Sequence, residues 1–252
     1  MTRDGKAYPP PGSVDDPTGR ATDVQLDAVV DEDVDGEYGP TRAGLFAALA
    51  LAGASFLTGF RAGNGRWFLG GEGSSAKMLA GQQWRAVTAL FLHADRVHLA
   101  GNVAATAVLG TAVCRLLGPG VGLLLIVTSG AVGNLMDAYL RSGTHTSIGA
   151  SIAIFGAVGI LAGVAIMRSH VPGRRPWVTI AAGVAVVGLL ALGEHVDIAA
   201  HFFGLQTGFG LGLATAVLAD EAPGPRAQRW FLVATIAVVV TSWWLAVRAI
   251  GR

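Results

Sequence analysis

Seven apolar stretches, each near the length of a bilayer crossing, fill most of the chain beyond residue 42 and leave few folds open to it. They cover residues 43–60, 99–117, 121–140, 148–167, 177–193, 198–218 and 230–247. Backbone polar groups in lipid must be satisfied within the segment or within a closed barrel, and runs of about 20 residues read as helices. The chain is 52% apolar and only 14% charged over 252 residues. That balance predicts an all-α polytopic membrane protein rather than a soluble domain. The fifth stretch is the shortest and is interrupted by Gly183 and Gly188.

Charge is segregated as well as scarce. Residues 1–42 hold ten of the seventeen acidic residues and four of the eighteen basic ones. With Pro9, Pro10, Pro11 and the acidic run Asp31-Glu32-Asp33, this segment cannot bury a core and is expected to be a disordered acidic tail. No cleavable signal fits a start whose first apolar run lies beyond residue 42. The single cysteine, Cys114, excludes an intrachain disulfide and a cysteine-cluster metal site. No soluble segment carries a basic patch with interleaved aromatics, so nucleic acid is not an expected partner.

The short loops set the orientation. Arg115, the group Arg168, Arg174 and Arg175, and the pair Arg226 and Arg229 alternate with loops that hold Arg141 or no basic residue. The arginine-bearing loops are then cytoplasmic, as is the N-terminus. Arg248 and Arg252 fall outside, against the trend. A bacterial plasma membrane is the expected location. The second, fourth and sixth stretches run from outside to inside, and His98, Ser151 and His201 fall near their outer ends.

Ser151 and His201 each lie about one turn inside the outer end of a separate apolar stretch. An ionisable residue at membrane depth is expensive and marks function by default. A serine at the same depth is a nucleophile that a neutral histidine can activate. The two helices must approach closely, and Gly204, Gly208 and Gly212 recur at four-residue intervals for that purpose, opposite Gly149, Ala153 and Ala157 with Gly156 and Gly163 beside them. Phe155, four residues after Ser151, is placed to pack on the His201 ring. His98 and Asn102 share a helix face and can both donate to an oxyanion, with the Ser151 N–H as a third donor. Asp197, one turn before His201, either orients that ring or is a solvated loop residue. His93 reads as structural, and His145 and His195 as solvated loop residues.

Trp84-Arg85 followed by His93, His98 and Asn102, then Gly149-Ala150-Ser151, then Ala200-His201-Phe202-Phe203-Gly204 with Gly208, occur in the order and on the stretches of one known signature. The chain resembles the rhomboid family of intramembrane serine proteases over residues 84–218. The resemblance implies a six-helix bundle over residues 43–218, a loop at 61–97 partly embedded in the membrane, and a seventh helix within 219–252. It implies a catalytic dyad of Ser151 and His201, oxyanion donors His98 and Asn102, supporting roles for Gly149 and Phe155, and no cofactor or metal. It further implies single-pass transmembrane proteins as substrates, cut in or near the outer leaflet of the bilayer.

Three positions depart from the family pattern. Ile152 stands where glycine usually follows the serine, and its branched side chain is expected to narrow the site or alter the serine's turn. Cys114 stands where many members carry a structural glutamate that bears on how the first loop is braced. Phe155 keeps a ring where tyrosine is frequent. Other readings exist for each polar residue alone. A serine can bond back to its own helix, and His98 and Asn102 can hold helices together. A silent relative that binds without cutting has Ile152 in its favour and the intact dyad against it. A small transporter predicts an inverted repeat that the chain does not show, and a metal site built on His93, Asp95, His98 and His201 would leave Ser151 without a role. Substrate identity and oligomeric state are not encoded in any motif.

Overall fold

The computed structural model describes residues 38–63, 65–141, 145–168, 197–219 and 222–250. Helix α1 spans Ala43–Thr58. The segment that follows folds into short helices α2 (Arg66–Gly71), α3 (Ser75–Leu79) and α4 (Arg85–Thr88), with 3-10 turns at Arg61–Gly63 and Ala89–Phe91. The long helices are α5 (Arg96–Leu117), α6 (Pro119–Arg141), α7 (Ser151–Met167), α8 (Ile198–Leu218) and α9 (Pro225–Ile250). A two-stranded antiparallel ladder pairs β1 (Gly73–Ser74) with β2 (Thr146–Ser147), in register Gly73 to Ser147 and Ser74 to Thr146.

Four helices, α5, α6, α8 and α9, are long and apolar enough to cross a membrane by length and composition, whereas α1 and α7 are apolar but shorter, at 16 and 17 residues. The expected fifth stretch, residues 177–193, and most of the acidic tail, residues 1–37, lie outside the described residues. Helix ends differ from the apolar runs for local reasons. Helix α5 starts at Arg96, ahead of its apolar run, because the Asp95 side chain accepts the His98 N–H at 2.8 Å and caps the helix there. Between α5 and α6, Gly118 adopts φ 84° and Pro119 takes the first helical position of α6, where its missing N–H costs nothing.

Helix α7 is apolar all round, as a helix must be when neighbours cover every face. It packs against α5, α6 and α8, and Ile154, Ala157, Ile160 and Val164 join Leu51 of α1 and Leu109 and Val113 of α5 in the main core. Its contact with α8 is backbone on backbone. A methyl group at Gly204, Gly208 or Gly212 would run into the carbonyls of Ile152, Gly156 and Ile160, and one at Gly159 or Gly163 would strike α8. The facing stripe on α7 is therefore Ile152, Gly156, Gly159 and Gly163, which keeps the expected Gly156 and Gly163 and corrects the expected Gly149, Ala153 and Ala157. Gly149 precedes the helix, Ala153 meets Gly130 of α6, and Ala157 points into the main core.

The first loop is braced from several sides. The buried Arg85 donates to the carbonyls of Leu69 (3.1 Å) and Glu72 (2.8 Å) and to Gln82 Oε1 (2.7 Å). Thr88 Oγ1 donates to Gly71 O at 2.7 Å. Helix α9 lies along the same loop, with Trp243 against Trp67 at 6.4 Å between ring centroids. Cys114 takes no part in this bracing. It is fully buried beside the α5–α6 turn, with Sγ 4.0 Å from Pro119 O, which corrects the expectation that its identity bears on the loop. At that turn Gln228 of α9 supplies the polar partner. Its Oε1 accepts from the N–H groups of Gly120 (2.8 Å) and Val121 (3.0 Å), and its Nε2 donates to Leu117 O (2.9 Å) and Pro223 O (3.2 Å). Phe46 and Phe56 of α1 and Trp230, Ile236 and Trp244 of α9 face outward, as a lipid-covered surface requires.

Candidate active site

Three helices begin at one end of the bundle, and their first turns carry the polar side chains singled out in the sequence. Ser151 is the first residue of α7 rather than one turn inside it, because Gly149 adopts φ 115° and delivers the chain into the helix at that point. A non-glycine residue is strained at that φ. Space is short as well, since a Cβ on Gly149 would lie 2.8 Å from His98 Cε1 and 2.9 Å from His98 Nε2. Gly149 N–H donates to Ala89 O at 2.9 Å, and the β1–β2 ladder holds the preceding residues against the first loop. The Ser151 N–H therefore precedes the first bond of α7, Ile154 N–H to Ala150 O (3.0 Å), and sits at the positive end of the helix.

His201 lies in the first turn of α8. Its Nε2 is 2.6 Å from Ser151 Oγ, and both side chains are buried. Phe155 stacks on the His201 ring at 4.3 Å between centroids and 16° between planes. The ring's Nδ1 is buried with no hydrogen-bond partner among the described residues. The serine can therefore lose its proton only towards Nε2, which must be the unprotonated nitrogen when it does so.

His98 Nδ1 accepts the Ala94 N–H at 3.3 Å, which leaves Nε2 as the protonated nitrogen, facing Gly149. Asn102 is fully buried. Its Nδ2 donates to His98 O at 2.8 Å with one hydrogen to spare, and its Oδ1 has no partner among the described residues. His93 packs edge-on to His98 at 5.2 Å and contacts Ser55 Oγ at 3.5 Å. Burial pushes its pKa down to about 3, so the ring is a neutral spacer behind His98.

Other expectations change. Asp197 is neither a solvated loop residue nor a partner of the His201 ring. Its side chain caps α8, accepting Ala200 N–H at 3.2 Å, and it pairs with Arg141 and His145. His145 is accordingly engaged rather than simply solvated, while His195 lies outside the described residues. Ile152 does not narrow the site. It is 1% exposed and fills a slot between Gly133 of α6 and Gly204 of α8, where neither glycine leaves room for a Cβ of its own. The slot under the serine is thus shaped for a branched side chain. Asp95 caps α5 instead of joining a cluster of metal-ligating histidines.

The sequence left one supporting residue, Asn134, unnoticed and marked another, Asp137, only as a carboxylate at the margin of a run. Asn134 of α6 donates to Ala86 O at 2.8 Å and accepts from Ser147 Oγ at 2.8 Å, tying the strand before Ser151 to α6 and to the first loop. Asp137, one turn on, is 1% exposed and pairs with Arg141 at 3.3 Å. A buried polar residue within an apolar run was the available signal for both.

The sequence has known relatives. The family description "Rhomboid domain" matches residues 80–217, more than half of the chain. Rhomboid protease GluP of Bacillus subtilis is 32% identical over 173 residues, covering 67% of this chain and 33% of that protein. RHOMBOID-like protein 6, mitochondrial, of Arabidopsis thaliana is 32% identical over 137 residues, covering 52% of this chain and 43% of that protein. Rhomboid-like protease 2 of Toxoplasma gondii is 26% identical over 135 residues, 53% of this chain and 48% of that protein. The chain thus spans about a third to a half of these relatives. The matched segment contains His98, Asn102, Gly149, Ser151, Phe155 and His201, and on its extent this multi-pass membrane chain belongs to the rhomboid family.

Proposed function

We propose that the protein is an intramembrane serine endopeptidase that cleaves single-pass transmembrane proteins in or near the outer leaflet, using Ser151 and His201 as a dyad. The observation that carries the reading is the 2.6 Å contact between His201 Nε2 and Ser151 Oγ, made between two helices whose backbones touch. His201 accepts the hydroxyl proton as Ser151 Oγ attacks the scissile carbonyl. The charge that develops on the carbonyl oxygen is met by His98 Nε2–H, Asn102 Nδ2–H and the Ser151 N–H, each such donor contributing roughly 3 kcal/mol of barrier lowering. His201 then protonates the leaving amine, and a water deprotonated by the same ring hydrolyses the acyl-enzyme. Every step uses side chains and water, and none requires a cofactor or metal.

The partners are the bilayer and transmembrane substrates. The arginine pattern supports a bacterial plasma membrane, with the N-terminus cytoplasmic and the Ser151 end facing outward. A second reading, a silent binder, has Ile152 after the serine in its favour; that side chain is 1% exposed and packs against Gly133 and Gly204, which favours the protease reading. The test is labelling of purified protein with a fluorophosphonate serine probe. Wild type should label, and Ser151→Ala and His201→Ala should not. Folded wild type that fails to label, or Ser151→Ala that labels equally, would overturn the reading.

A further inference from the structure

A third catalytic residue does not touch His201 among the described residues, so what fixes its ring must be sought one turn away. Asp197 sits there with its carboxylate fully engaged. One oxygen accepts Ala200 N–H (3.2 Å) and pairs with Arg141, the other pairs with His145 Nε2, and the Asp197 carbonyl accepts His201 N–H at 3.0 Å. Arg141, in the last turn of α6, also reaches Asp137 Oδ1 at 3.3 Å, and His145 Nε2 is 3.6 Å from Asp137 Oδ2. Asp137 is buried and Asp197 nearly so. The guanidinium, itself 39% exposed, bridges a buried and a largely buried carboxylate, so it acts within a network of charges rather than as one isolated surface pair, whose effect would be small.

The clasp joins the start of α8 to the end of α6 and to the residue that leads into β2. Both dyad members hang from it: His201 follows Asp197 by four residues, and Ser151 follows His145 by six. His145 is itself pinned, its carbonyl accepting Ser75 N–H at 2.9 Å. Among the described residues the ring is held by a stack on Phe155 and the Ser151 contact, so play in the first turn of α8 is passed to Nε2. Misplacement of a reacting group by about 1 Å costs on the order of a hundredfold in rate.

We propose that Asp197 is a positioning residue for His201, held by Arg141 and His145, and that this ionic clasp does the orienting that a third catalytic group would otherwise do. The proposal rests on the dyad reading above. It predicts a defect in serine activation in protein that remains folded.

The test measures the rate of fluorophosphonate labelling against probe concentration for full-length wild type, Asp197→Asn, Arg141→Gln and the double variant, with Tm alongside. Asn keeps a side-chain oxygen for the Ala200 N–H and removes the charge. Each single variant should lower the maximal labelling rate about tenfold, with the half-saturating concentration unchanged. The double variant should be no slower than the singles, because the ions act as one unit. Labelling within twofold of wild type in both folded singles overturns the proposal, as does a loss that only tracks the unfolded fraction. If Asp197→Asn does not fold, Arg141→Gln decides, since it leaves the cap in place. Wild type that does not label sinks the dyad reading itself, a result distinct from the others.

Discussion

The two ends of the bundle treat buried polar groups in opposite ways. At the α5–α6 turn Gln228 spends its amide completely, accepting two backbone N–H groups and donating to two carbonyls. At the Ser151 end, His201 Nδ1 and Asn102 Oδ1 are buried with no partner among the described residues, and Asn102 keeps a free donor hydrogen. Leaving a buried polar group unpaired costs about 1–3 kcal/mol. One end therefore spends its hydrogen bonds within the fold, while the other keeps capacity unspent, as the proposed oxyanion and dyad roles require. The difference teaches that burial alone does not distinguish a structural polar residue from a functional one. Nor does an unspent valence taken singly, since Nε2 of the spacer His93 is also buried without a partner among the described residues; the convergence of several on Ser151 does.

Substitutions at the two ends should separate along that line. Gln228→Ala strands the Gly120 and Val121 N–H groups and the Leu117 carbonyl, and is expected to lower stability by about 4 kcal/mol. Denaturant unfolding in micelles reads that loss, and the labelling rate of the folded fraction should stay within twofold of wild type. A large rate defect with normal stability would break the comparison from this side. Asn102→Ala should do the reverse, leaving Tm within about a degree while cutting turnover by roughly 3 kcal/mol, more than a hundredfold. A Tm drop with unchanged turnover would place Asn102 with Gln228 instead. The smallest effect belongs to Phe155→Leu, which removes the stack on His201 and keeps the apolar volume. Its cost should be about 1 kcal/mol, or a five- to tenfold slower labelling rate. An undiminished rate would mean that the stack does not orient the ring.

Residues were legible in the sequence where their chemistry was out of keeping with a lipid environment. Ser151, His201 and the pair His98 and Asn102 are polar groups near one end of three separate apolar runs, a pattern that membrane insertion penalises unless it is used. Gly204, Gly208 and Gly212 were legible by spacing. The face they meet was legible in part: Gly156 and Gly163 were named from the sequence and lie on it, whereas Ile152 and Gly159 were identified only by the packing of the two helices. Asp197 was ambiguous for a similar reason. Its partners Arg141 and His145 lie more than fifty residues away in the chain, and only the fold brings them to it.

The sequence by itself determined that this is a helical membrane chain, where its apolar runs lie, and which polar residues are out of keeping with them, since hydropathy and desolvation act residue by residue. Only the tertiary structure decided what those residues touch. It set His201 Nε2 2.6 Å from Ser151 Oγ, gave Gln228 the turn beside Cys114, buried Ile152 in the slot left by Gly133 and Gly204, and closed the clasp around Asp197. Each of these is a contact between helices, and in lipid such contacts are settled by close packing and hydrogen-bond geometry, which no single stretch of sequence contains.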